Sequence, residues 1–159
     1  MNQTQDIVTG IVYTKNKQRA VISNGPDGPL GDSVIVNGLI YGDTDFNKPA
    51  IGVFDLSAVT TSVGEKRERR DVSVELSFNK SFARRSWISK LRPAFKASKQ
   101  ADAINLSGIE SYPVGGGILD EPLTLGVTTG TGRFIGTEGT VTIHYDPTNA
   151  LFTYAFTLV

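Results

Sequence analysis

The 159-residue sequence contains no cysteine. Disulfides, thiolate nucleophiles and cysteine-ligated metals are therefore excluded. It contains a single histidine, His144, so histidine-rich metal sites are excluded and a Ser-His-Asp triad would depend on that one residue. No apolar run approaches the ~20 residues of a membrane span. The polar start, Met1-Asn2-Gln3-Thr4-Gln5-Asp6, lacks the basic-then-apolar pattern of a secretory leader. A cytoplasmic protein is the default expectation, and a mature secreted chain would look the same. Net charge is also missing, with 16 basic residues against 16 acidic ones. That balance hides an asymmetry. Residues 66–99 hold eleven of the sixteen Lys and Arg against three acids, Glu68, Asp71 and Glu75, a formal excess of eight. The remainder of the chain is acidic by the same amount.

What is abundant is β-forming. Seventeen glycines and many Val, Thr, Ile and Phe argue against a helical protein. Candidate strands are 6–14, 33–41, 50–61, 71–79, 102–111, 122–129, 139–146 and 150–158, with 18–23 as a short ninth. Breakers separate them, including Asn24-Gly25-Pro26-Asp27-Gly28-Pro29, Lys48-Pro49, Gly115-Gly116-Gly117 and Asp146-Pro147-Thr148-Asn149. About eight short strands without β-α alternation predict an all-β domain, an antiparallel barrel or sandwich. A closed antiparallel sheet of this size encloses a small-molecule cavity in many proteins. Strand 50–61 is apolar on both faces, which fits a barrel wall packed against a second subunit or a lid. A homo-oligomer, dimer or trimer, is expected.

Residues 80–101 break the pattern. Trp87, Leu91 and Phe95 fall at i, i+4 and i+8, a helical stripe, while Pro93 would kink any helix that spans it. One or two short helices in a long connection are predicted. Either they form a functional lid with Trp87, Leu91 and Phe95 facing a ligand, or those three side chains plug a barrel end for stability.

Several residues are candidates for chemistry. Asn37 and Tyr41 share a strand face with Ile35 and Leu39; facing inward they would hydrogen-bond a carbonyl or hydroxyl, and facing outward they are barrel surface. Tyr13 would stack on a ligand, or be a core tyrosine with a tethered hydroxyl. Asp55 lies in the most apolar strand, where a carboxylate must be paired, solvated or shifted in pKa, so it is either a general acid or half of a rim salt bridge. Glu75 lies with Ser73 and Ser77 on a polar face, as a solvated group or a cavity residue. His144 has no acidic neighbour on its strand to orient it. The basic segment, with Phe82, Trp87 and Phe95 interleaved, has the composition of a nucleic-acid patch. Two other accounts compete: pairing with the acidic remainder, within or between subunits, and recognition of a carboxylated or carrier-bound substrate at the barrel mouth. The acidic remainder would repel phosphate, so nucleic acid is the weakest of the three.

Four stretches carry a family resemblance. Gly130-Thr131-Gly132-Arg133-Phe134, followed by Gly139 and a strand, is similar to the G-T-G-K-F…G turn of dirigent proteins and the G-G-A-G-x-F…G turn of allene oxide cyclases. Leu30-Gly31-Asp32…Leu39-Ile40-Tyr41-Gly42-Asp43 resembles the cyclase pattern L-G-D…L-Y-S-G-D. Ile51-Gly52-Val53 resembles the I-G-I of the next strand, and Leu151-Phe152-Thr153-Tyr154-Ala155-Phe156 the family's L-F-Y-T-F-Y. The resemblance implies an eight-stranded antiparallel barrel around a hydrophobic ligand. It also implies cofactor-free ring closure or stereochemical steering, as in bacterial barrels that close polyketide rings by cycloaddition. Proximity and orientation would then carry the reaction. Asn16 falls where the cyclases also have Asn. The acidic residue that follows Val-Tyr in those cyclases is Thr14 here, so the resemblance does not imply the allene oxide reaction itself. The leading expectation is a cyclase or isomerase with Asp55 and Tyr41 as catalytic residues. Tyr13, Asn16, Asn37, Glu75, Trp87, Leu91 and Phe95 are the expected ligand contacts. The alternative is a carrier that holds a lipid-like ligand unchanged.

Overall fold

The computed structural model describes residues 6–26, 28–91, 100–114 and 119–159. Eight antiparallel strands close into a barrel in which each strand pairs with its sequence neighbours and β1 pairs with β8. They are β1 (Val8–Ile22), β2 (Ser33–Tyr41), β3 (Gly52–Val63), β4 (Arg67–Phe78), β5 (Asp102–Pro113), β6 (Leu123–Gly130), β7 (Gly139–Asp146) and β8 (Leu151–Leu158). The predicted fold class is the observed one. One short helix, α1 (Lys80–Arg85), and the 3-10 turns Trp87–Lys90 and Gly132–Phe134 lie between strands.

Alternation decides which side chains fill the barrel. In β4, Glu68, Arg70, Val72, Val74, Leu76 and Phe78 are buried, while Arg69, Asp71, Ser73 and Glu75 are exposed. In β8, Tyr154, Phe156 and Leu158, on one row, are buried. The expected ninth strand is the far half of β1. The β1–β2 register shifts between Asn16 and Gln18, so Lys17 is an extra residue and one strand continues through it. Strand β4 starts at Arg67 rather than Asp71, because the charged run Arg67-Glu68-Arg69-Arg70 pairs with β5 throughout.

The up-and-down order places the β2–β3, β4–β5 and β6–β7 connections at one end of the barrel and the β1–β2, β3–β4, β5–β6 and β7–β8 connections at the other. The first end is plugged. Helix α1 stops at Ser86, which is extended (φ −107°, ψ −173°), and the following 3-10 turn buries Ile88. The predicted helical stripe is corrected over its described part: Trp87–Lys90 is a single 3-10 turn that ends at Leu91, itself extended, so no α-helix joins Trp87 to Leu91. Phe95 lies outside the described residues. Trp87 packs against Phe156 (4.8 Å between ring centroids) and Phe78 (6.3 Å), and Phe78 packs against Phe134 (5.6 Å). Gly10 makes room for this plug, since a Cβ there would fall inside the Trp87 indole. The turn after β6 completes it. Gly132 has φ +59°, a left-handed conformation suited to glycine, and Phe134, two residues on, is fully buried. Asp102 Oδ1 accepts from Arg133 N at 2.9 Å and Lys80 Nζ lies 3.3 Å from Oδ2, which ties β5 to the turn and to α1. Among the described residues, no helix is long and apolar enough to cross a membrane.

Candidate functional site

The interior cavity lies at the end opposite the plug. Val34 and Val36 of β2, Phe54 and Leu56 of β3, Val72 of β4 and Tyr154 of β8 form its apolar wall. Asn16, Arg19, Leu119 and Phe152 also line it, and Asn16 and Arg19 are exposed, so the hollow opens at the barrel mouth. Its volume is about 90 Å³. That is well below the ~300–1,000 Å³ of pockets for drug-sized ligands.

One side of the cavity is charged. Arg70 of β4 and Glu110 of β5 are directly opposed in register and each is only 7% exposed. Arg70 Nε donates to Glu110 Oε2 at 2.6 Å. The Arg70 guanidinium lies 4.0 Å from the centre of the Tyr112 ring, which fixes its plane. Tyr112 Oη and Thr60 Oγ1 are 3.2 Å apart, and buried Glu68 is paired in register with Tyr112. Burial holds the Tyr112 hydroxyl above the ordinary phenol pKa; the bond to Thr60 opposes this and the bond to Glu68 reinforces it. Deeper in the wall, burial pushes the Tyr154 hydroxyl well above that range. A buried ion pair is a poor source of net stability, because desolvating both charges offsets much of their attraction. Such a pair beside a cavity is therefore a candidate for chemistry.

At the rim, Arg67 grips Asp120 with Nη1 and Nη2, each at 3.2 Å, and Ser111 Oγ with Nε at 2.8 Å. The Arg67 contact holds the Asp120 carboxyl below its ordinary pKa. Basic residues of 66–99 thus pair with acids elsewhere: Arg67 with Asp120, Arg70 with Glu110, and Lys80 with Asp102. This is the intramolecular pairing considered from the sequence.

Most of the expected ligand contacts lie elsewhere. Among the described ones, only Asn16 lines the cavity. Tyr13, Asn37, Tyr41, Asp55 and Glu75 occupy the outward positions of their strands. Tyr13 is paired in register with Tyr41, and Asn37, Asp55, Glu75 and Asn105 form one register row across β2 to β5. Tyr41 stands edge-on to Phe46 at 4.9 Å, and Asn37 Nδ2 donates to Gln18 Oε1 at 3.2 Å. Asp55 and Glu75 are exposed. The physical reason is the pleat: the neighbours Val12, Val36, Ile40, Phe54, Val74 and Leu76 take the inward positions, so these polar residues face out. Trp87 and Leu91 belong to the plug at the other end and do not cover the cavity.

The groups that do face it, Arg70 and Glu110, were obscured by their charge. Their signal was present, since Arg70 continues the inward row Val72, Val74, Leu76, and Glu110 continues Ile104, Leu106, Gly108. Arg19 reaches the cavity through the bulge. It lies three residues from Asn16, a spacing that strict alternation would send to the opposite face.

No protein-family profile and no curated protein matches the sequence. Solved structures do match in shape. A pyocyanin demethylase superposes with a TM-score of 0.67 at 18% identity, covering 96% of this chain and 100% of that one. The pterocarpan synthase dirigent protein GePTS1 gives 0.62 at 13%, covering 98% and 89%. The Diels Alderase AbmU from Streptomyces koyangensis gives 0.59 at 10%, covering 99% and 69%. The chain has the fold of the dirigent and cyclase-type β-barrels.

Proposed function

We propose that this barrel is an enzyme of the cyclase or isomerase type, acting on a hydrophobic small molecule held at its open end. The observation that carries this reading is the buried Arg70–Glu110 pair set into the wall of an otherwise apolar cavity. The apolar wall would restrict the substrate to a reactive shape. Arg70 would hold a substrate oxygen and stabilise negative charge that develops on it. Glu110 is the carboxylate that lines the cavity, and its Oε1 hydrogen-bonds to no described residue, which leaves it available to take or return a proton. Asp55 and Tyr41 have no part in this reading. The small hollow favours a compact substrate over a lipid-like one, and the fold likeness to dirigent and cycloaddition barrels supports the reaction type.

The test is to incubate the protein with compact polyenes and epoxides and compare product stereochemistry with the uncatalysed mixture. A changed ratio that reverts in Glu110→Gln is expected. An unchanged ratio together with retained ligand would mean that the barrel is a carrier. Exposed outward apolar residues, Ile35, Val53, Val59 and Ile109, support a homo-oligomer, to be checked by sedimentation.

A further inference from the structure

Resting on the reading above, we infer that the cavity takes an organic carboxylate with a compact apolar body, selected by Arg70. Three charged residues line the hollow: Arg19, Arg70 and Glu110. Glu110 is already engaged, at 2.6 Å from Arg70 Nε. The Nη1 and Nη2 donors of Arg70 hydrogen-bond to no described residue, although the side chain is almost wholly buried. Arg19 stands at the mouth with no ion-pair or hydrogen-bond partner among the described residues. The lining therefore carries one positive charge in excess of its single carboxylate.

Geometry narrows the ligand. Engagement of Nε by Glu110 and stacking on Tyr112 fix the guanidinium before a ligand arrives. The two Nη donors present a planar pair, the match for the two oxygens of a carboxylate. A neutral ligand of equal shape leaves buried donors unpaired, and such sites reject analogues that lack the partner atom. Arg19 adds a positive field at the entrance, which favours anions on approach. The hollow of about 90 Å³ limits the apolar body to a few carbons unless Leu119 and Phe152 move aside.

The experiment is calorimetric titration of the full chain with benzoate and benzamide, and with isobutyrate and isobutyramide. Each acid is expected to bind about tenfold or more tightly than its amide. Arg70→Met alone strands the Glu110 charge, so the informative variant is Arg70→Met with Glu110→Met, checked for folding by circular dichroism. It should lose the preference for acids. Arg19→Gln should keep the preference but flatten the salt dependence of acid binding. Equal affinity for acid and amide overturns the inference, as does a preference that survives the double variant, or no acid binding at all. Leu56→Trp, which fills the hollow, separates the two readings. If it abolishes binding of amides that bind as well as acids, the cavity stands and only the carboxylate inference falls. If it leaves binding untouched, the cavity itself is not the site.

Discussion

The two ends of this barrel are built from the same strands and have opposite characters. At one end, Trp87, Phe78, Phe134 and Phe156 interlock, and Gly10 is hollowed out to admit the indole. At the other, β3, β4 and β5 direct Thr60, Glu68, Arg70, Glu110 and Tyr112 inward. The difference shows where stability and chemistry reside. The aromatic carbons close the cylinder with little desolvation penalty, the buried indole N–H of Trp87, unpartnered among the described residues, being the polar cost at that end. The buried charges incur that penalty and sit where a ligand can enter.

The sharpest break in this contrast compares aromatic deletions at the two ends. Phe134→Ala should destabilise by about 3–5 kcal/mol, because the side chain is fully buried in the plug. Phe152→Ala, in the half-buried cavity wall, should cost about half of that. Chemical denaturation of both variants measures the gap; equal losses would mean that the open end is as well packed as the plug.

The charge pair gives the next largest effect. Arg70→Met alone should cost about 3–5 kcal/mol by leaving Glu110 unpaired, whereas the double replacement by Met should be close to neutral. A double variant as unstable as the single one would assign the pair a structural role. Gly10→Ala comes third, at roughly 1–3 kcal/mol, because the new methyl must displace the Trp87 ring. Trp87 fluorescence should shift in that variant and stay unchanged in the charge-pair variants.

A smaller effect is titrimetric. Tyr112 and Tyr154 hold their protons above the ordinary phenol pKa of 10.0. In the unfolded chain both would ionise near that value. Their contribution is intact below pH 10 and is lost as the pH climbs toward their folded values. Tyr154→Phe should reduce the loss of stability in that alkaline window, followed by denaturation at stepped pH. The smallest effect lies in the β7–β8 turn at the open end, where Ala150 has φ +51°. Ala150→Gly should stabilise by about 1 kcal/mol by relieving a left-handed alanine, read as a higher melting temperature.

Much of the fold was legible in the sequence, because strands such as β4 and β8 alternate cleanly and glycine and proline mark their ends. The site was not. A polar residue in an apolar strand, such as Asp55 or Asn37, reads as a cavity group, yet the pleat places it outside. The Arg67–Arg70 run reads as a basic surface segment, yet every second member continues an inward row. Tracing the apolar row of β4 back from Val72 by one inward step reaches Arg70. The plug was partly legible: Trp87 and Leu91 were identified as plug candidates, but neither Phe78, Phe134 and Phe156, nor the break at Ser86, nor the end of the barrel it closes was evident from spacing.

The spare residue at Lys17 has a further consequence. Because it resets the inward–outward count of β1, everything from Gln18 to Ile22 depends on it for its orientation. If Lys17 paired with Asn37 instead of bulging, Gln18 would fall opposite Val36 and Arg19 opposite Ile35, which would turn Arg19 out of the mouth and bring Gln18 in. In this barrel the charge of the doorway is set by how one strand pairs as much as by its letters.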